Sequence, residues 1–135
     1  MENKPTGLQH IGLPVRDFDK SLAFYGGLGF EAQALKRNMG GYHCAMVSLG
    51  DCMLEIYESL APDKNGIAAR KDGKIDHIAL SCEPDVLDAM FAECVDSGCE
   101  ILTNGIESTE IWERGGRYFI IEGPDGERIE FAAKN

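Results

Sequence analysis

Two histidines and two glutamates occupy matching contexts in this chain: His10 in "LQHIGLP", His77 in "KIDHIAL", Glu55 in "CMLEIYE" and Glu130 in "ERIEFAA". Each run alternates polar with apolar residues, and on a strand successive side chains point to opposite faces. His77 then shares a face with Ile75 and Ala79, and Glu55 with Met53 and Tyr57, opposite Leu54 and Ile56. Glu130 falls with Arg128 and Ala132, opposite Ile129 and Phe131. One such residue alone is ordinarily a solvated or hydrogen-bonded strand group. Four at equivalent places point to a shared task. Two imidazoles and two carboxylates form a mixed nitrogen/oxygen donor set for one divalent ion: nickel, zinc, cobalt, manganese or iron. Coordination positions would remain for water or substrate. The set contains no cysteine, which argues against a structural zinc.

The equivalence comes from an internal repeat. "LQHIGLPVRDFDKSLAFYGGLGFE" is answered by "IDHIALSCEPDVLDAMFAECVDSGCEI", with the two histidines 67 residues apart. "GGYHCAMVSLGDCMLEIYE" is answered by "GGRYFIIEGPDGERIEFA", and the steps from Gly41 to Glu55 and from Gly116 to Glu130 are both 14 residues. The halves differ mainly by an insertion around "TNGIESTEIWER". Asp17 can cap the first helix and Pro84 suits the first turn of the second. Phe18, Leu22 and Tyr25 form one buried stripe, and Val86, Leu87, Met90, Phe91 and Val95 another.

Each half therefore reads strand-helix-strand-strand-strand. The expected fold is α+β: two tandem βαβββ modules, about 7–59 and 75–132, in one 135-residue domain. The Pro/Gly/charge-rich linker between them covers about 60–74. A single short module of this kind presents a curved sheet face that it cannot bury. Two copies are expected to form a curved mixed sheet enclosing a cleft, with the four polar residues on its concave face. His43 has no ligand-type counterpart, since Tyr118 or Phe119 stands nearby, and it reads as structural or pocket-lining.

Composition removes several alternatives. A net charge of −10 offers no basic surface for nucleic acid, so a small-molecule substrate is expected. No apolar run approaches the roughly 20 residues of a membrane span, and "MENKPTGLQH" lacks a signal pattern. The expected location is cytoplasmic, without membrane association. The five cysteines are odd in number and include no C-x-x-C, which fits reduced thiols acting as small core residues.

"HIGLPVRDFDKSLAFYGGLGF", "LEIY", "DHIAL" and "GPDGERIEF" together resemble the vicinal oxygen chelate superfamily, which includes glyoxalase I, methylmalonyl-CoA epimerase, extradiol dioxygenases and bleomycin- and fosfomycin-resistance proteins. The His/Glu/His/Glu pattern is most similar to glyoxalase I (lactoylglutathione lyase) of the short bacterial, nickel- or zinc-dependent kind. In the epimerase the place of Glu55 is typically a glutamine, and the dioxygenases and fosfomycin enzymes typically use three ligands. The resemblance implies that His10, Glu55, His77 and Glu130 hold the metal. It also implies that Glu130 takes the substrate proton, with Glu55 as its catalytic counterpart, on the way to a metal-stabilised enediolate. The substrate would be a 2-oxoaldehyde–thiol adduct or a related small oxo compound. By the same likeness the chain forms a homodimer whose sites combine the first half of one subunit with the second half of the other.

The sequence departs from the short glyoxalases where they contact glutathione. Pro14 stands where an arginine is usual, Ser59 where an asparagine is usual, and Arg16 is two positions out of register. In the second half, Arg114 and Arg117 of "ERGGRYFI" are candidates for a substrate carboxylate, or loop cations balancing Glu110 and Glu113. Alternatives to the glyoxalase activity are an epimerase, a dioxygenase, or a resistance-type protein that sequesters a ligand without catalysis.

Overall fold

A computed structural model of the chain describes residues 2–61 and 70–135. Most of the expected linker, 62–69, lies outside the described residues. The elements run β1 (Gly7–Pro14), α1 (Phe18–Gly27), β2 (Glu31–Met39), β3 (Tyr42–Leu49), β4 (Cys52–Ser59), β5 (His77–Ser81), α2 (Leu87–Asp96), β6 (Glu107–Thr109), β7 (Gly116–Glu122) and β8 (Arg128–Lys134). The order β-α-β-β-β occurs twice, in the α+β class expected. Among the described residues no helix is long and apolar enough to cross a membrane. The chain divides into two compact units, His10–Asp76 and Met1–Gln9 with His77–Asn135.

In the His10–Asp76 unit the strand order is β2-β3-β4-β1. β2 and β3 are antiparallel, as are β3 and β4, whereas β1 runs parallel to β4 with Gly12 opposite Glu55. A parallel neighbour needs a long crossover, which α1 and the hairpin strands supply. Asp17 caps α1 as expected: its side chain accepts from the Lys20 N–H at 3.0 Å. Glu58 of β4 accepts from the Phe18 N–H at 2.8 Å, so a second free donor of the first turn is satisfied from the sheet. Phe18, Leu22 and Tyr25 then pack with Ile11, Leu13, Ala45, Val47, Leu54 and Ile56. That packing assigns the faces. Because Ile11 and Leu13, Ala45 and Val47, and Leu54 and Ile56 go to the core, His10, Cys44, Met46 and Glu55 must point the other way.

In the second unit the order is β5-β8-β7-β6. β5 runs parallel to β8 with Ala79 opposite Glu130, and the β7–β8 and β6–β7 pairs are antiparallel. β6 lies inside the insertion noted above. Leu87, Met90 and Cys94 of α2 are buried with Phe119, Phe131 and Ala133. Phe119 stacks on Phe131, with ring centroids 4.9 Å apart, and meets Phe91 edge-on.

Three local expectations need correction. α2 begins at Leu87, so Pro84 lies in the turn before it, closed by a Val86 N–H to Glu83 carbonyl bond of 3.1 Å. Cys94 takes the place expected of Val95, which is 49% exposed: the buried line is 87, 90, 94, and position 95 rotates one step out of it. Ile75 precedes β5 and is exposed, so it does not share the His77 strand face.

Candidate metal centre

The two units repeat one local arrangement. In each, the glutamate lies across the ladder from the residue two positions after the histidine: Gly12 for Glu55 and Ala79 for Glu130. The histidine and glutamate are thus diagonal neighbours on one face of a parallel strand pair. The residue opposite each glutamate is small, glycine or alanine.

His10 is 2% exposed, and its Nε2 lies 3.9 Å from Glu55 Oε1. His77 Nε2 lies 3.3 Å from Glu130 Oε2, and both residues are buried. These separations exceed the roughly 2.7–3.2 Å of a good N–H···O hydrogen bond. They suit two donors on one ion, which at bond lengths of about 2.0–2.2 Å stand about 3–4 Å apart. A buried carboxylate also carries a desolvation cost that a nearby cation offsets. Within each unit the donor types, spacing and burial therefore fit a divalent metal.

The other singled-out residues lie elsewhere. Arg117 shares a strand face with Phe119 and Ile121, both packed toward α2, so it sits on the opposite face from Glu130. Its guanidinium pairs with Asp88 of α2 at 3.0 and 3.2 Å and donates to the Pro84 carbonyl. The pairing holds the Asp88 carboxyl below its ordinary range, chiefly through the hydrogen bonds from Arg117. The structure therefore does not bring Arg117 to Glu130, and its acidic partner is Asp88 rather than Glu110 or Glu113. Arg114 is exposed in the turn before β7, where its carbonyl accepts from Asn135. His43 is structural: its Nδ1 accepts from the Asn38 N–H at 3.2 Å and its ring packs on Phe18. Arg16 donates to the Lys71 carbonyl and lines a groove of about 490 Å³ with Lys20, Phe24 and Lys71, which His10 and Glu55 do not line.

One neighbour of the donor set escaped the sequence reading. Cys44 is buried in β3 with Sγ 3.8 Å from Glu55 Oε2, on the carboxylate oxygen other than the one facing His10. Parity along "YHCAMV" places Cys44 with Met46 on the Glu55 face, so the signal was present once β3 was paired with β4.

A family model for the Glyoxalase/Bleomycin resistance protein/Dioxygenase superfamily matches residues 7–131. The chain belongs to this superfamily. The match contains all four candidate ligands. Among superfamily relatives, an uncharacterized protein, YwbC, of Bacillus subtilis is 31% identical over 92% of this chain and 94% of its own length. Metallothiol transferase FosB of Shouchella clausii is 27% identical over 92% of this chain and 77% of its own. A solved structure of methylmalonyl-CoA epimerase, in complex with methylmalonyl-CoA and NH4+, aligns with a TM-score of 0.78 at 26% identity, covering 97% of this chain and 96% of that one.

Proposed function

We propose that this protein is a divalent-metal enzyme that moves a proton at the carbon beside a substrate carbonyl, with glyoxalase I-type lyase/isomerase chemistry as the first reading. The observation that carries it is the duplicated histidine–glutamate pair, His10 with Glu55 and His77 with Glu130, each at ligand-to-ligand spacing, with both histidines and Glu130 buried and Glu55 half-buried. We assign all four as ligands of one nickel, zinc, cobalt, manganese or iron ion per site in a cytoplasmic homodimer. A bound ion supplies Lewis-acid stabilisation of negative charge on substrate oxygen. The remaining work falls to the chain itself. Glu130 is the proton acceptor: a buried carboxylate beside His77, able to take a carbon-bound proton and return it to the adjacent carbon. Glu55 holds the equivalent place beside His10 in the first unit and is its catalytic counterpart.

The substrate class is a small oxo compound attached to a thiol. The likeness to a metallothiol transferase and to an epimerase complexed with a coenzyme A thioester supports a sulfur-bearing substrate. The loss of the usual arginine at Pro14 and asparagine at Ser59 argues against glutathione as the thiol. Epimerisation of an acyl thioester is the second reading, favoured by the 26% identity to the epimerase. It needs the same proton transfer. Glu55 counts against it, because that place is typically glutamine in the epimerases.

The test is conversion followed by proton NMR on nickel- and zinc-loaded protein. The substrates are methylglyoxal with glutathione, methylglyoxal with a different low-molecular-weight thiol, methylglyoxal alone, and methylmalonyl-CoA. Conversion of a thiol adduct supports the first reading, and racemisation of methylmalonyl-CoA alone supports the second. A protein that retains no divalent ion and converts none of them is a ligand-sequestering binder, and the proposal fails.

A further inference from the structure

We infer that Cys44 is a positioning residue for Glu55: its buried thiol holds one carboxylate oxygen so that the other stays turned toward His10. The inference rests on the metal-centre reading proposed above. Ala45 and Val47 are committed to the core beneath α1, so Cys44 and Met46 are forced onto the Glu55 face of β3. The ladder sets Met46 opposite Glu55 and Cys44 opposite Tyr57, which puts the thiol diagonally across from the carboxylate. Sγ then lies 3.8 Å from Oε2, within the longer reach of sulfur, while Oε1 is the oxygen that faces His10 Nε2.

The two oxygens of Glu55 are therefore inequivalent. A carboxylate can bind a metal through one oxygen or both. A donor fixed on Oε2 engages that oxygen's lone pairs and opposes two-oxygen binding, which leaves a coordination position for substrate. The thiol is a weak donor, but an ionised acceptor strengthens the bond. Outer-sphere partners of this kind typically change metal affinity by about 10–100-fold when removed. In the second unit the corresponding ladder place, opposite Ala132, is held by Tyr118, another residue with a donor group. Both copies of the repeat thus keep a donor-bearing side chain two residues before the glutamate's ladder partner, which is Met46 for Glu55 and Ile120 for Glu130.

The experiment measures cobalt(II) affinity by chelator competition, together with the visible spectrum of the cobalt-loaded protein. It compares the full-length wild type with Cys44→Ala and Cys44→Ser, and uses Cys44→Val as a better-filled variant should the alanine protein melt early. The expected result is a roughly tenfold or larger loss of affinity in Cys44→Ala and Cys44→Val, with shifted ligand-field bands. Cys44→Ser, which retains a donor, should recover most of the affinity. Wild-type affinity and an unchanged spectrum in Cys44→Ala would overturn the positioning role while leaving the metal centre intact. A sulfur-to-cobalt charge-transfer band in the wild type, lost in every variant, would make Cys44 a ligand and also overturn it. If the wild type binds no cobalt, the metal-centre reading fails and this assignment falls with it.

Discussion

At the scale of single residues, the proposed roles of Glu130 and His77 separate because a carboxamide can still donate an oxygen to a metal but cannot accept a proton. Glu130→Gln should lower conversion by about 10²–10⁴-fold, the usual contribution of a positioned base. Its metal content should remain near that of the wild type. His77→Ala removes a nitrogen donor outright, so metal content and conversion should fall together. Metal analysis beside initial rates distinguishes the two variants, and a fully active Glu130→Gln protein would eliminate the assigned base. Arg117 shows why residue type alone is a poor guide at this scale. It lies only thirteen positions before Glu130 on the adjoining strand, yet parity turns it toward Asp88 on α2, where its charge is already satisfied.

At the scale of elements, alternation made β1, β4, β5 and β8 legible, because the period of two is a local property of the chain. α1 was legible from its stripe and from the Asp17 cap, which needs only four consecutive residues, and α2 from its stripe apart from position 95. The unread details depended on partners distant in sequence. The rotation that buries Cys94 and exposes Val95 is set by where Phe119 and Phe131 stand. The closeness of Cys44 to Glu55 required the β3–β4 register, and no local pattern announces it. The second unit's thiols carry a further consequence. Burial pushes the Cys82 thiol up from 9.0 to about 11, and burial likewise raises Cys94 to about 11. An acid whose pKa is raised by folding is ionised first in the unfolded chain. Stability from these groups is therefore constant below about pH 9 and declines as pH rises toward 11. Urea midpoints measured from pH 7 to 11 should show that decline, and it should be shallower in Cys82→Ala, even though that variant starts lower. An identical slope in wild type and variant would show that Cys82 does not contribute.

At the scale of the whole molecule, the division of the donor set decides how a dimer would be assembled. His10 and Glu55 belong to one compact unit and His77 and Glu130 to the other, so each unit supplies half of the proposed ligands. In the proposed homodimer a site can draw both halves from one chain or one half from each, and the two arrangements differ in genetic logic. His10→Ala inactivates the first-half contribution and His77→Ala the second. When the two inactive proteins are unfolded and refolded together, a dimer that shares its sites places both lesions in one site and leaves the other intact. Half of the dimers are then mixed and half of their sites are whole, so activity should return to about a quarter of the wild-type value in a twofold-symmetric assembly. Sites confined to one chain would give no recovery, because every subunit would still carry a broken donor set. We expect recovery, because the likeness to the short glyoxalases implies sites that combine the first half of one subunit with the second half of the other. Refolding each variant alone supplies the baseline. A mixture no more active than that baseline would assign the whole site to a single chain.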